Sequence, residues 1–304
     1  MLSLLFASML VCCAVLGASV EGVAEDDVSS DTGSATITWH HSFAQAQSLA
    51  RETERHIIAE FYTDWCPWCR KLDDSTLAHP LVEAMADSFV FLRVNAELDT
   101  ALVTRYGVNA YPTVILIEGN GNEVDRIVGY VQPEEFVERI NKYLLGEGTL
   151  WALEKLNRER PSDPETIYKL ARKHMERGAF DKARPLFEKA VNLDKDNKTG
   201  FADSAQFSIA LMYRKEKQWF KAIEEFRIFL ETFPKSDLRE DAELYIPWLN
   251  ARAGDNEEAL EGYRGFLDDH SGSSEAEWVR QQIAKLEAGE EPSENTDETS
   301  SPDK

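Results

Sequence analysis

The sequence predicts an α/β domain followed by an all-α domain made of repeated helix pairs. Three observations carry that reading. Short apolar runs alternate with helically spaced stretches over residues 36–148. A Cys-x-x-Cys, Cys66 to Cys69, stands where one such run gives way to a helical stretch. From residue 163 a small/large apolar pattern recurs, with Ala171 reappearing 39 residues on as Ala210 and Ala222 37 residues on as Ala259. At 304 residues the chain is long enough for two cores.

Composition excludes more than it selects. A formal charge of -22 argues against nucleic acid and anionic membrane surfaces as partners. Of four cysteines, Cys12 and Cys13 lie in Leu2 to Val20, an apolar stretch without a charged side chain. Gly17, Ala18 and Ser19, then Gly22 and Ala24, suit signal cleavage, although the N-terminal amine is the only positive charge ahead of the stretch. The length also approaches the roughly 18 residues that can span a membrane. Residues 1–24 are therefore read as a cleaved secretory signal or an uncleaved anchor. Neither Cys12 nor Cys13 follows Gly, Ala or Ser, which disfavours lipid attachment. Both main readings export the chain, to the periplasm or another extracytoplasmic space, with any membrane contact confined to an uncleaved N-terminus. After cleavage only Cys66 and Cys69 remain.

In chain order, acidic residues 25–35 read as a flexible spacer. Ile37-Thr38-Trp39 suits a short edge strand, and Ser42 caps a helix running to about Arg55. His56 to Tyr62 is a buried strand, Lys71 to Met85 has helical rhythm, and Phe89 to Val94 is a second strand. Thr100 to Tyr106 is a short helix and Thr113 to Ile117 a third strand. Asn120-Gly121-Asn122 turns the chain into an antiparallel partner, Glu123 to Val128. A last helix runs from Pro133 to Leu145 and closes the α/β domain, 36–148. A linker is expected at 149–162, then repeats with a capping helix over 163–288, and a disordered acidic tail at 289–304. Lys195 to Gly200 reads as an insertion between the first two units. Pro247 implies a kinked helix or a degenerate third unit.

The chemistry concentrates at the cysteine pair. Residues three apart on a helix share a face, so a disulfide can close between them. Cys66 would sit at the helix start, where unpaired N–H groups favour a thiolate and lower its pKa below roughly 8.5. Pro67 is tolerated there because its missing N–H has no partner to lose. Cys66 is thus the nucleophile and Cys69 the resolving thiol. The bland alternatives are a structural disulfide or half of a zinc site, but no second cysteine pair or clustered histidines supply further ligands. A soft ion on two thiolates is a further possibility. Glu60, inside the apolar run Ile57-Ile58-Ala59-Glu60-Phe61, is either a buried acid able to move a proton or a strand glutamate facing water. Trp65 and Trp68 can form an apolar lip, though Trp68 is equally ordinary surface; Arg70 and Lys71 can favour a thiolate or simply be solvated.

The phrases Asp64-Trp65-Cys66, Cys69-Arg70-Lys71-Leu72, Thr76 through Pro80, Arg105-Tyr106-Gly107-Val108, Tyr111-Pro112-Thr113 and Gly129-Tyr130 resemble the thioredoxin family over about residues 36–146. They are most like the C-terminal thioredoxin-like domain of periplasmic thiol:disulfide interchange reductases. Leu170, Ala171, Gly178, Phe180, Ala183, Phe187 and Ala190, and their later copies, resemble tetratricopeptide units. The resemblance implies an α/β thioredoxin-like domain followed by a tetratricopeptide-like helical domain. It further implies that Glu60 deprotonates Cys69, that Pro112 is cis and faces the cysteines, and that Tyr111 borders a substrate groove. Pro67-Trp68 departs from the usual Gly-Pro, which leaves the reduction potential open.

The expected activity is that of a thiol:disulfide oxidoreductase, reductase or isomerase in preference to oxidant. It would act on protein disulfides with a partner dithiol protein and no bound cofactor or metal, while the repeats recruit a protein or peptide. The competing expectation is a non-catalytic envelope scaffold whose repeats carry the function. Aromatics at 180, 187, 219 and 226 are expected as packing. Lys169, Arg172, Lys173 and Arg177 share one helix and are either a solvated face or a hold on an acidic peptide.

Overall fold

The run from His56 to Tyr62 becomes the central strand of a five-stranded sheet in the computed structural model, which describes residues 36–289. The expected signal or anchor, the spacer to residue 35 and the tail from residue 290 lie outside the described residues. Among the described residues no helix is long and apolar enough to cross a membrane.

The α/β part runs β1 (Trp39–His40), α1 (Phe43–Glu52), β2 (His56–Tyr62) and α2 (Pro67–Leu72). A π-helical turn (Asp73–Leu77), α3 (Pro80–Glu83), β3 (Phe89–Asn95) and α4 (Thr100–Tyr106) follow. Next come β4 (Thr113–Ile117), β5 (Glu123–Val128) and α5 (Pro133–Leu144). Ser42 caps α1 through its hydroxyl, which accepts the Gln45 N–H at 3.4 Å. The expected helical stretch from Lys71 to Met85 is broken in the structure. Pro80 has no N–H to continue it, and His79 before it takes an extended conformation, as a pre-proline residue favours. The edge strand likewise sits at Trp39–His40, slightly later than expected.

The sheet order is β1-β3-β2-β4-β5, with β1, β3 and β2 parallel and β4 and β5 antiparallel to their neighbours. Alternation along β2 sends Ile57, Ala59 and Phe61 to the face covered by α1 and α4. Ile58 goes to the other face, packed with Leu72 of α2 and Phe136 and Ile140 of α5. Glu60 shares that second face by the same alternation. The register sets it between Arg93 of β3 and Val114 of β4.

Residues 149–162, expected as a linker, carry α6 (Leu150–Glu159). Thr149 caps it by accepting the Ala152 N–H at 3.2 Å, and Leu153 is buried beneath it. The helical pairs are α7 (Pro164–Glu176) with α8 (Phe180–Leu193), α9 (Ala202–Lys215) with α10 (Trp219–Thr232), and α11 (Arg239–Ala253) with α12 (Asn256–Asp269). The last, α13 (Ala276–Glu287), closes the stack, and each helix packs on the next. Phe187 and Phe226 are fully buried and Phe180 and Trp219 pack at the core margin, which accounts for these aromatics as packing. Helix α11 runs through Pro247, and α12 approaches it closely at Gly262, where a Cβ would meet the Pro247 Cβ at 2.9 Å.

Helix α7 docks on β5 through buried charge. Lys173 Nζ meets Asp125 Oδ1 at 2.7 Å, and the Arg177 guanidinium reaches Glu123 at 2.6 Å and Asp125 at 3.1 Å. The basic face of α7 is therefore not uniformly solvated. Lys169 pairs with Glu165 on the same helix, Lys173 and Arg177 join the two parts of the chain, and Arg172 is left exposed. Gly178 ends α7 at φ +68, where a Cβ would lie 2.5 Å from the Asn109 amide nitrogen. The left-handed backbone of this turn, beside the Asn109 side chain, is what favours glycine.

Candidate functional site

Cys66 and Cys69 are joined by a disulfide at the start of α2. Cys66 is the N-cap residue, and its sulfur accepts the Cys69 backbone N–H at 3.0 Å. Pro67 follows at the first helical position, as expected. The N–H directed at the sulfur, at the start of a helical run that continues from α2 into the π-helical turn, favours a Cys66 thiolate. The same donor would face the sulfur after reduction.

Access to the pair is one-sided. Cys66 is 3% exposed and Cys69 2%, but Cys66 lines a cleft of about 970 Å³. Trp65, Pro67, Trp68 and Tyr111 line the same cleft. Trp65, 50% exposed, meets Tyr111 edge-on with ring centroids 6.3 Å apart. Trp68 lies 5.9 Å from Tyr130, and Lys71 Nζ sits over both rings at 4.6 and 4.7 Å. The Tyr111–Pro112 peptide is cis, as the resemblance implied. Pro112 is buried, with its carbonyl accepting the Gly129 N–H at 2.8 Å, and Tyr111 rather than the proline reaches the cleft wall. Arg70 turns away and donates to the Asp64 carbonyl at 3.0 Å.

Glu60 is fully buried, so the water-facing alternative falls. Its Oε2 accepts from Arg93 Nε at 2.9 Å, while Arg93 also pairs with Asp73 at the end of α2. Burial pushes the Glu60 carboxyl up to about 8, outweighing the pull of Arg93, and the Asp73 charge adds to the rise. Burial raises Asp73 as well, against the opposing effect of Arg93. At neutral pH Glu60 thus holds its proton mostly bound, with the capacity to exchange it.

This placement has a measurable consequence. The folded state keeps the Glu60 proton from its ordinary value of 4.5 up to about 8, while the unfolded chain loses it early. Stability from this group is complete below pH 4.5 and falls as pH rises through about 8. Replacing Glu60 by glutamine removes that fall. The variant should gain on the order of 3 kcal/mol over wild type between pH 5 and 9, read by urea unfolding at both pH values. A pH-independent difference would show that Glu60 titrates normally.

Sequence reasoning passed over Arg93, Asp73 and Tyr130 as site residues. Tyr130 had a signal in the phrase Gly129-Tyr130. Arg93 could have been found only through the strand register that sets it beside Glu60. Among the described residues no group of three or more His, Cys, Asp or Glu is arranged to hold a metal ion.

The family model for a thioredoxin-like domain matches residues 43–144. Residues 43–144 form a thioredoxin-like domain. A tetratricopeptide repeat matches residues 204–236, which span α9 and α10. The chain is 30% identical to "Thioredoxin M4, chloroplastic" of Arabidopsis thaliana over 108 residues, 34% of this chain and 52% of that protein. It is 30% identical to "Thiol:disulfide interchange protein DsbD" of Vibrio vulnificus (strain CMCP6) over 104 residues, 32% of this chain and 18% of that protein. The chain therefore spans about half the length of the first relative and under a fifth of the second. Among solved structures, a thioredoxin from Thermus thermophilus aligns at 25% identity, covering 35% of this chain and 86% of its own, with a TM-score of 0.33. The thioredoxin-like domain thus carries its cysteine pair at the N-terminus of α2, with the helical repeats packed against β5.

Proposed function

We propose that the protein is an exported thiol:disulfide oxidoreductase acting on protein disulfides, reducing or isomerising them. The observation that carries this is the Cys66 sulfur, set at a cleft wall with a backbone N–H directed at it. In the reduced enzyme, the Cys66 thiolate attacks one sulfur of a substrate disulfide. A Cys66–substrate disulfide forms, and the other substrate sulfur leaves as a thiolate that takes a proton from water. The Cys69 thiol passes its proton to the carboxylate form of Glu60, and its sulfur attacks Cys66 Sγ. The Cys66–Cys69 disulfide forms, and the second substrate thiolate departs. Two electrons have moved from enzyme to substrate, and a partner dithiol protein restores the reduced pair. Trp65, Trp68 and Tyr111 border the entering disulfide, and Pro112 fixes the loop that carries Tyr111. The apolar stretch Leu2 to Val20 supports export, and the helical repeats support recruitment of a protein.

Trapping tests the reading. A Cys69→Ala variant lacks the resolving thiol and should accumulate client proteins bound through Cys66, visible as reductant-sensitive adducts on non-reducing gels. A folded variant that forms none would refute the mechanism.

A further inference from the structure

We infer that the helical repeats complete the substrate groove of the redox site, with Met175 of α7 and Leu211 of α9 contacting an extended, apolar client segment next to its cysteine; this rests on the oxidoreductase reading above. The cleft that contains Cys66 lies between the two parts of the chain. Trp65, Trp68, Tyr111 and Tyr130 line it from the thioredoxin-like domain, and Met175 and Leu211 from the first helices of the first two pairs. Both repeat side chains are half-buried at the margins of the cores beneath them, and each keeps one side turned to the cleft. This wall is anchored. Lys173 and Arg177, on the same helix as Met175, pair with Asp125 and Glu123 of β5, and Gly178 brings the end of α7 against Asn109.

The charged groups along the cleft are already engaged, which leaves apolar surface to choose the ligand. Lys71 sits over the Trp68 and Tyr130 rings at 4.6 and 4.7 Å. Arg172 donates to the Tyr168 hydroxyl at 3.5 Å, and the Arg214 guanidinium lies over Tyr245 and Trp248 at 5.5 and 5.7 Å. Lys215 has an interaction of its own, and Glu176 neighbours the charges of Arg139 and Arg177. Apolar side chains of a client gain here by leaving water. The cleft measures about 970 Å³. That is the upper end of the roughly 300–1,000 Å³ typical of ligand sites, space for a few residues of extended chain. A cystine flanked by large apolar residues is buried in a finished fold, so the groove meets it only in a client that is unfolded or misfolded. Recruitment and chemistry thus share one space, and the repeats act as a specificity element at the site itself.

The test uses the full chain, dithiothreitol as electron donor, and two cystine-linked peptide dimers. One carries leucines around its cysteine and the other asparagines at the same places. Each rate is divided by the uncatalysed exchange with dithiothreitol. The leucine dimer should show kcat/KM about tenfold higher, and a Met175→Gln, Leu211→Gln variant should erase most of that preference. Turnover of both dimers without a leucine preference, or a preference that the variant keeps in full, overturns this inference and leaves the oxidoreductase reading standing. Turnover of neither overturns both. Should the variant fail to fold, a photo-crosslink decides. The Cys69→Ala chain, trapped on a leucine peptide with a benzophenone side chain beside its cysteine, should be labelled in α7 or α9 on irradiation. Label confined to the thioredoxin-like domain overturns the inference.

Discussion

Replacing Cys66 by serine should lower turnover of a cystine peptide about a thousandfold or more, because a serine oxygen cannot accept and release a disulfide bond. Cys69 cannot take over. It is 2% exposed and does not line the cleft, and in the proposed mechanism its sulfur acts only after Cys66 has captured a substrate. The two cysteines should therefore fail differently. Cys66→Ser abolishes both turnover and trapping, whereas Cys69→Ala abolishes turnover and keeps trapping. The measurement is dithiothreitol-driven reduction followed by quantitation of free thiols, alongside non-reducing gels. Retention of more than about a tenth of wild-type activity by Cys66→Ser would move the nucleophile elsewhere.

Asp125→Ala is the second large effect, and it is one of stability. Asp125 is 0% exposed and accepts from Lys173 Nζ at 2.7 Å, Arg177 at 3.1 Å and the Leu150 backbone N–H at 2.7 Å. Burial alone would raise its pKa, but Lys173 and Arg177 outweigh burial and hold it below the usual carboxylate value. Its stabilisation is thus present at neutral pH and is lost as pH falls through that lowered value. Truncation leaves Lys173 buried without its carboxylate, which costs about 3–5 kcal/mol. Urea unfolding at pH 7 should show that loss, and helical and near-ultraviolet signals should separate into two transitions as the repeats release from β5. Asp125→Asn, which keeps a hydrogen-bond acceptor, should cost less. A variant as stable as wild type would mean that the pairing of α7 with β5 contributes little to the fold.

Much of the site could be read from short stretches of chain. Cys66, Pro67 and Cys69 follow one another, and a helix start imposes their geometry locally. The strands from His56, Thr113 and Glu123 were legible because alternation and the Asn-Gly turn need no distant partner. The thioredoxin-like phrases pointed to Tyr111–Pro112, and the helical spacing pointed to the repeats. Boundaries were legible only where a local device marked them. Ser42 caps its helix visibly, whereas the break at His79-Pro80 was smoothed over by helical rhythm on both sides. The expected linker concealed α6, although Leu150, Leu153 and Leu156 recur at helical spacing after the Thr149 cap; the helix packs on α7.

By itself the sequence determined the two-part organisation and the cysteine pair at a helix start, and it offered Glu60 as one candidate for a buried acid, because periodicity, caps and cysteine spacing act within a few residues. Only the tertiary structure decided that Glu60 answers to Arg93 and Asp73, that β5 carboxylates anchor α7, and that the repeats wall the cleft in front of Cys66. The two charge clusters among these bring together residues 13 to 54 positions apart around a fully buried carboxylate, Glu60 in one and Asp125 in the other. Desolvation and pairing there set their energies, and no local pattern records either one.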